Sequence, residues 1–272
     1  LPEDSSEFVK ACVGGGWVGV DLFFVLSGFL VSSLLFREYQ KYGSVNIKRF
    51  LIRRGFKIYP AFWLFLISSL IMYWCLGIQL NSVQVLGELT FLQNYLGGIW
   101  AHTWSLGVEE HFYIGLALLV TFLIAADPNK PFRRIPYFFV IIAVTCLSFR
   151  VVNLIMIPEY SHQVSLMPTH LRIDSLMFGV LLSYLWNFHE FEKRSARFPS
   201  WLLVILASVL LSPAFIFQLE SDRWISVVGF VFFYLGSGLL IIAAVRLKST
   251  ESKVIQALAG LGAASYSIYL WH

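Results

Sequence analysis

Long apolar runs recur along the chain and are separated by short polar segments. At about 1.5 Å of rise per helical residue, runs of this length cross about 30 Å of hydrocarbon. Because backbone polar groups in lipid must be satisfied within the segment, the helix is the expected form. The pattern predicts an all-α, polytopic membrane helical bundle of about eight transmembrane helices, over residues 17–36, 56–77, 104–126, 135–157, 171–188, 201–219, 224–245 and 254–272.

A ninth apolar stretch, residues 84–100, is shorter and more interrupted than the others. It contains Glu88, Gln93, Asn94 and a glycine pair. Irregular backbone at membrane depth is tolerated only against protein or beside a water-filled cavity. We therefore predict a re-entrant or interfacial segment here and not a full crossing.

The basic residues indicate which side of the membrane each loop occupies. Most of the 20 lysines and arginines fall in alternate loops, and Lys and Arg concentrate on the cytoplasmic side. The loops predicted to be cytoplasmic are 37–57, 127–134, 189–200 and 246–253. Residues 78–103 and 158–170 then lie outside, as does an N-terminal segment, 1–16, which precedes one helical domain over 17–272.

Composition agrees with a membrane environment. Hydrophobic residues make up 58% of the chain and charged residues 13%, and the mean hydropathy is +0.72. A chain of this composition exposes its apolar surface to membrane lipid. The net charge of +4 follows from the cytoplasmic loops and requires no nucleic-acid partner. No feature of the sequence identifies a protein partner.

Charged residues also occur inside the apolar runs. A charge at membrane depth costs roughly 2.5–3.5 kcal/mol on insertion scales, so it needs a partner, a cavity or access to the interface. By the predicted topology all of them lie in the outer half of the membrane, where they predict a polar pocket open to the outside: Asp21, Glu109, Glu110, Arg150, Arg172 and Asp174. The alternative is that each residue reaches the outer interface singly.

Helical spacing groups some polar residues on shared faces. One face combines a hydroxyl, a carboxylate and two rings at i, i+4, i+7 and i+8: Ser105, Glu109, Phe112 and Tyr113. His102, Glu109 and His111 have no familiar metal-ligand spacing, so we predict no metal site.

The stretch HLRIDSLMFG has a similar arrangement. Arg172, Ser175 and Gly179 align on one face, and Gly179 allows a neighbouring helix to approach closely. Asp174 projects to the other side.

Five motifs follow one another along the chain: GVDLFFVLSGFL, KRFLIRRGFKIYP, TWSLGVEEHFY, HLRIDSLMFG and SYSIYLWH. In order and rough spacing they resemble the membrane acyltransferase 3 family, the integral-membrane O-acyltransferases. The resemblance implies transfer of an acyl group, commonly acetyl, from cytoplasmic acyl-CoA to a hydroxyl, usually of a carbohydrate, outside the cytoplasmic membrane. It thus implies a multi-pass protein of a bacterial cytoplasmic membrane, with acyl-CoA (acetyl-CoA) as co-substrate, no bound cofactor and a cell-envelope carbohydrate as acceptor.

The resemblance also implies a donor site. The family's Arg-x-x-Arg element maps to Arg54 and Lys57, so its second arginine is a lysine here. With Arg53, these cations suit the phosphates of acyl-CoA, although Lys offers a point charge where Arg offers a bidentate fork. The alternative is that the loop only anchors the following helix on the cytoplasmic side.

The family's Trp-Ser-Leu-x-x-Glu-x-x-Phe-Tyr pattern is met in full from Trp104 to Tyr113, and its Tyr-x-x-His pattern by Tyr269 to His272. Our catalytic candidates are Glu109, Asp21 and Arg172. Our substrate-binding candidates are Ser105, Trp104, Tyr113, Asp174, Arg150 and His272.

The chain departs from the family pattern at both ends. Family members begin with a further helix whose histidine acts as the base on the acceptor hydroxyl, and they end with a further helix after the position of His272. This sequence opens at Leu1 and lacks both segments. A carboxylate beside such a histidine orients it. We therefore expect Asp21 to face an empty groove here, without its partner.

Two other classes of function stay open. A polar pocket also suits a transporter, although the chain shows no internal repeat of the kind transporters carry. A chain without the two terminal helices also suits a catalytically inactive membrane scaffold.

Overall fold

The computed structural model describes residues 14–246 and 253–271, and within these ranges it contains helices and turns but no strand. The α-helices, numbered in chain order, are α1 (Gly19–Tyr42), α2 (Ile47–Cys75), α3 (Ser82–Thr90), α4 (Gln93–Leu96), α5 (Trp104–Ala126), α6 (Ile135–Met156), α7 (His162–Ser165), α8 (Ile173–Phe188), α9 (Phe191–Ser195), α10 (Ser200–Leu211), α11 (Pro213–Ile216), α12 (Gly229–Val245) and α13 (Lys253–Trp271). Short 3-10 turns precede several of them.

The predicted fold class, an all-α polytopic membrane protein, is confirmed. The helical segments long and apolar enough to cross a membrane are Gly16–Tyr42, Ile47–Cys75, Ala101–Ala126 and Pro131–Met156. Shorter apolar segments are Ile173–Phe188, Ser200–Ile216 and Gly229–Val245. Together with α13, these segments account for every predicted apolar run.

The interrupted stretch 84–100 does not form a spanning helix. It contains most of α3, which has 9 residues, and all of α4, which has 4. Phe91, at a φ of 56°, ends α3 in the left-handed conformation. Neither helix is long enough to cross about 30 Å of hydrocarbon. The prediction that this stretch is not a full crossing is confirmed, and its placement at the interface stays a prediction.

Local sequence signals set several helix ends. α1 ends at Gly43, which has a φ of 69°, a conformation that glycine adopts without a Cβ penalty. α2 begins after Asn46, whose side-chain oxygen accepts a hydrogen bond from the backbone N–H of Arg49 at 2.9 Å. Asn81 caps α3 in the same way, accepting from the N–H of Val83 at 2.9 Å.

The described residues divide into two compact units. The first unit contains residues 14–45 and 108–246, and the second contains 46–107 and 253–271. The boundary falls inside α5, between Gly107 and Val108. We describe each unit by itself.

The first unit is organised by close contact between α1 and α8. A Cβ added to Gly28 would lie 2.0 Å from the carbonyl oxygen of Leu176, and one added to Gly179 would lie 2.2 Å from the carbonyl oxygen of Val25. Only glycine permits the two backbones to meet this closely. The expectation that Gly179 lets a neighbouring helix approach is therefore confirmed, with α1 as the neighbour.

Polar and apolar contacts continue along this helix pair. The hydroxyls of Ser33 and Ser183 lie 2.8 Å apart, and both are buried. Small residues and hydroxyls that bond across helices are typical of packing in lipid, where burial of apolar surface gives little drive for association. Around them, a hydrophobic core forms from α1, α8, α10 and α12, with buried Val25, Phe29, Leu182, Leu203, Tyr234 and Ile241.

The second unit brings together α2, α3 and α13. The Tyr266 hydroxyl donates to the carbonyl oxygen of Ile58 at 3.0 Å, which ties α13 to α2. The rings of Phe62 and Phe91 lie 4.8 Å apart between centroids. The indole N–H of Trp100 donates to the Ser69 hydroxyl at 3.0 Å. These contacts hold the 82–103 segment against α2.

We predict that an added methyl group at the α1–α8 contact destabilises the protein. Gly28→Ala forces the Leu176 carbonyl away, and overpacking of this kind costs roughly 1–3 kcal/mol. The measurement is thermal unfolding in detergent. Gly115→Ala is the matched control, because a Cβ there meets nothing within 4 Å and alanine favours the helix by roughly 1 kcal/mol. Equal melting temperatures for Gly28→Ala and the parent would contradict the close contact.

Candidate functional site

A fully buried ion pair joins the N-terminal ends of α1 and α8. The Arg172 guanidinium donates to Asp21 Oδ2 at 2.9 Å, and the Ser175 hydroxyl donates to Asp21 Oδ1 at 3.1 Å. Both charged side chains have 0% relative exposure. The Asp21 carboxylate thus accepts one hydrogen bond from a charged group and one from a neutral group. The two donors, Arg172 and Ser175, are the residues that the helical spacing placed on one face.

A second ion pair lies beside the first. Arg150 of α6 donates to Asp174 Oδ1 at 2.6 Å and, through its Nε, to the carbonyl oxygen of Leu171 at 2.8 Å. The backbone N–H of Ser175 also donates to Asp174 Oδ1, at 3.1 Å. Asp174 therefore bonds a different arginine from Asp21, as expected from its position on the other side of the helix.

The ring of Phe230, in the first turn of α12, contacts both guanidinium groups. The Arg172 guanidinium carbon lies 3.9 Å from the ring centroid and that of Arg150 lies 5.0 Å from it. A desolvated cation over an aromatic face gains roughly 2 kcal/mol. The two ion pairs and this ring form one unit, which we call the charge cluster (Asp21, Arg172, Phe230, Arg150 and Asp174).

Two expectations about these residues are wrong. Asp21 does not face an empty groove, because Arg172 and Ser175 each donate a hydrogen bond to one of its carboxylate oxygens and the side chain is fully buried. The six charges do not line an open pocket either, since all of them are buried. For four of these charges the physical reason is the cost of a lone charge in a low dielectric, which the fold avoids by pairing Asp21 with Arg172 and Asp174 with Arg150.

The face of α5 that carries Glu109 is also buried. In the first unit, the Tyr113 hydroxyl lies 2.9 Å from that of Ser27 on α1, and Glu109, one turn earlier, has 4% relative exposure. His111 Nδ1 lies 2.7 Å from the Thr169 hydroxyl. The Ser27 contact ties the Glu109 helix to the helix that carries Asp21.

The remaining residues of this motif belong to the second unit. Trp104 and Ser105 are buried, and the Ser105 hydroxyl lies 2.6 Å from the hydroxyl of Tyr269 on α13. The Tyr269 hydroxyl also donates to the carbonyl oxygen of His102. His272 lies outside the described residues. Residues of one continuous motif in the sequence thus make contacts in two different units.

The predicted donor-binding cations lie in the second and third turns of α2. Arg53 and Lys57 are exposed, and Arg54 is half-buried. Next to them an apolar groove of about 450 Å³ runs along the same helix, lined by Leu51, Ile52, Gly55, Phe56, Tyr59, Pro60 and Trp63. Exposed cations beside an apolar groove can bind a ligand that has phosphates and an uncharged chain.

Glu88 of α3 is a buried carboxylate to which the sequence assigned no role. With 1% relative exposure, it accepts from the Thr103 hydroxyl at 2.7 Å and from the Ile99 N–H at 3.1 Å through Oε1. The Gln93 amide donates to the Thr103 carbonyl oxygen at 2.9 Å. A Cβ on Gly98 would lie 2.6 Å from Glu88 Oε1. This carboxyl group fixes the loop that precedes the Trp104–Ser105 motif.

Burial raises the pKa of Glu88 above its ordinary value of 4.5, and the hydrogen bonds from Thr103 and from the N–H groups of Ile99 and Trp100 only partly oppose this. Oε2 has no hydrogen-bond partner among the described residues, and an unpaired buried oxygen costs more in the charged carboxylate than in the neutral acid. Because the folded-state pKa is the higher one, the stability that Glu88 contributes is complete at low pH and falls as the pH rises through the folded-state pKa.

Groups of three or more His, Cys, Asp or Glu side chains that could hold a metal ion do not occur within residues 14–246 and 253–271.

Comparison with known proteins gives a match over nearly the whole chain. The family model described as "Acyltransferase domain" matches residues 7–272. A protein named "Putative O-acetyltransferase SACOL0978" from Staphylococcus aureus strain COL is 28% identical over 289 residues, which are 97% of this chain and 46% of that protein. O-acetyltransferase OatA of S. aureus strain NCTC 8325 / PS 47 is 28% identical over 283 residues, with 96% and 46% covered.

The chain therefore spans about half the length of these curated relatives. No solved structure matches it significantly.

We predict that Glu88 stabilises the fold in its neutral form. Glu88→Gln keeps an acceptor for Thr103 and Ile99 and removes the titration, so its melting temperature should stay flat where that of the parent falls with rising pH. Glu88→Ala leaves the buried donors unpaired and should cost roughly 1–3 kcal/mol. The measurement is thermal unfolding between pH 4 and pH 8. Glu192→Gln, at an exposed position of α9, is the control. The stability difference between the parent and Glu88→Gln is compared at the two ends of this range. A difference that favours the parent more at pH 8 than at pH 4 would contradict the assignment.

Proposed function

This chain belongs to the acyltransferase 3 family, and we propose that it transfers an acetyl group from acetyl-CoA to a hydroxyl of a cell-envelope carbohydrate. The observation that carries the proposal is the family match over residues 7–272, together with relatives named as O-acetyltransferases. The several apolar helices place the chain in a membrane. We propose the cytoplasmic membrane of a bacterium as that membrane.

The donor site in this proposal is the beginning of α2. Arg53, Arg54 and Lys57 lie in the predicted cytoplasmic loop and the turn that follows it, where acyl-CoA is available. Charge-assisted hydrogen bonds from these side chains would hold the phosphates. The apolar groove along the same helix would take the uncharged part of the donor.

The reaction requires one bond to form and one to break. The acceptor hydroxyl oxygen attacks the thioester carbonyl carbon, the new C–O bond forms and the C–S bond breaks. The hydroxyl proton leaves through a base and coenzyme A departs as its thiol. We assign to Glu109 the hydrogen bond to the acceptor hydroxyl, with Ser105, Trp104 and Tyr113 as substrate-binding residues of the same motif.

Asp21 and Arg172 act differently in this proposal from what the sequence suggested. Because the two side chains pair with each other and are fully buried, they position α1 and α8 and do not contact the acceptor. Arg150 of α6 supports the same arrangement by bonding Asp174 of α8. We therefore propose a positioning role for these four residues.

We predict that donor affinity depends on Arg54. The assay measures transfer of labelled acetyl from acetyl-CoA to cell-envelope glycans by the full-length protein in proteoliposomes. Arg54→Ala should raise the KM for acetyl-CoA roughly ten- to a hundredfold, as loss of charged hydrogen bonds worth about 1.5–3 kcal/mol requires. Lys57→Arg should keep or lower that KM, because arginine binds phosphate bidentately.

Lys48→Ala is the matched control, since this residue is an exposed cation in the first turn of the same helix. An unchanged KM for Arg54→Ala would leave only the membrane-anchoring role for the basic loop. Absence of transfer by the full-length parent would favour a catalytically inactive scaffold.

A further inference from the structure

A cavity of about 420 Å³ lies in the first unit, and none of its lining residues belongs to the charge cluster. Its lining includes Gly15, Trp17, His162, Phe215, Gln218 and Glu220. By the predicted topology the N-terminal end of α1, the 158–170 segment and the loop after α11 all lie outside the membrane. The cavity therefore opens on the side where the acceptor carbohydrate is found.

The walls of the cavity are fixed by contacts between two loops. His162 Nε2 lies 3.5 Å from Glu220 Oε1. The Arg223 guanidinium donates to the carbonyl oxygen of Pro158 at 2.8 Å. Gly15 packs against α11 so closely that a Cβ would lie 2.4 Å from the Phe215 ring. These contacts make the cavity pre-formed, which is typical of binding sites for small molecules.

A further polar group lies beside His162. The Tyr160 ring is 5.1 Å from the His162 ring, between centroids, and its buried hydroxyl has no hydrogen-bond partner among the described residues. Burial raises the pKa of Tyr160, so the phenol stays protonated at neutral pH. It can therefore both donate and accept a hydrogen bond.

The floor of the cavity is connected to the charge cluster. Trp17 lies one helical turn before Asp21, and its ring packs edge-on against Phe233 at 5.3 Å and Phe230 at 6.0 Å between centroids. Phe230 in turn lies under the Arg172 guanidinium. A ligand on Trp17 is therefore separated from the buried ion pair by a single layer of aromatic side chains.

We propose that this cavity is an acceptor subsite that binds one sugar residue, with Trp17 as the stacking ring and Gln218, Glu220 and His162 as the hydrogen-bonding groups. The proposal rests on the proposed function. A sugar ring presents an apolar C–H face to an aromatic ring and a rim of hydroxyls that donate and accept. An indole, an amide, a carboxylate and an imidazole meet these needs together.

The charge of the lining disfavours an anionic ligand. Among the described residues, the cavity lining includes Glu220 but no lysine or arginine. A phosphate or a phospholipid headgroup would lack a cation and would meet a carboxylate. The hydroxyls of a neutral sugar can donate to that carboxylate, which accepts several hydrogen bonds.

The test is sugar binding to the full-length protein in nanodiscs, without donor. Ligand-detected NMR is recorded with methyl glycosides of glucose, N-acetylglucosamine and glucuronic acid. We expect saturable binding of at least one neutral glycoside. Glu220→Gln and Gln218→Ala should each weaken it about tenfold, as loss of about 1.4 kcal/mol requires. Glu159→Gln, an exposed glutamate in a neighbouring loop, should leave it unchanged.

The outcomes distinguish a failure of the subsite proposal from a failure of the proposed function. Binding that is weakened by the cavity variants supports the subsite even if no acetyl transfer is measured. Acetyl transfer whose acceptor KM is the same for Glu220→Gln and Glu159→Gln would overturn the subsite and leave the proposed function intact. Absence of saturable binding for all three glycosides would also overturn the subsite.

Discussion

The first unit depends on one physical constraint, which is that a carboxylate buried in a low dielectric must have an opposite charge and hydrogen-bond donors beside it. Asp21 meets this constraint with Arg172 and Ser175, which lie on a helix more than a hundred residues further along the chain. The neighbouring pair of Arg150 and Asp174 meets it on the other side of the same helix. Three helices are thereby held at fixed positions.

Close backbone contact makes this pairing geometrically possible. Gly28 and Gly179 let α1 and α8 approach, so Asp21 and Arg172 reach each other without either side chain crossing a layer of apolar residues. The Phe230 ring then contacts both guanidinium groups, and Trp17 packs against Phe230. The ion pairs are therefore in direct contact with the aromatic layer, against which Trp17, a lining residue of the cavity, packs.

The helices were predictable from the sequence because each apolar run must form its own hydrogen bonds in lipid. Shared faces were predictable as well: Arg172 and Ser175 do bond the same carboxylate, and Gly179 does meet a helix. The partner of Asp21 was not predictable, since periodicity gives the direction of a side chain but not the helix opposite. The empty groove was expected because the family resemblance assigned Asp21 a histidine partner from a further helix, and the structure has Arg172 as its partner.

Other features also lay beyond the sequence pattern. Glu88 was visible only as an interruption of an apolar stretch, because its partners Ile99 and Thr103 come from a loop without periodicity. The division of the described residues inside α5 has no signal in composition. The sidedness of the loops, the donor site and the role of Glu109 follow from charge patterns and resemblance, and they stay predictions.

The most direct test of the account is a double-mutant cycle on Asp21 and Arg172 in the full-length protein, read as unfolding free energy in mixed micelles. Asp21→Asn and Arg172→Met should each cost roughly 3–5 kcal/mol, because each leaves a buried charge without its partner. The double variant should cost well below the sum of the two, with a coupling energy of at least about 2 kcal/mol. Costs that add to within about 0.5 kcal/mol would contradict the claim that this pair holds the first unit together.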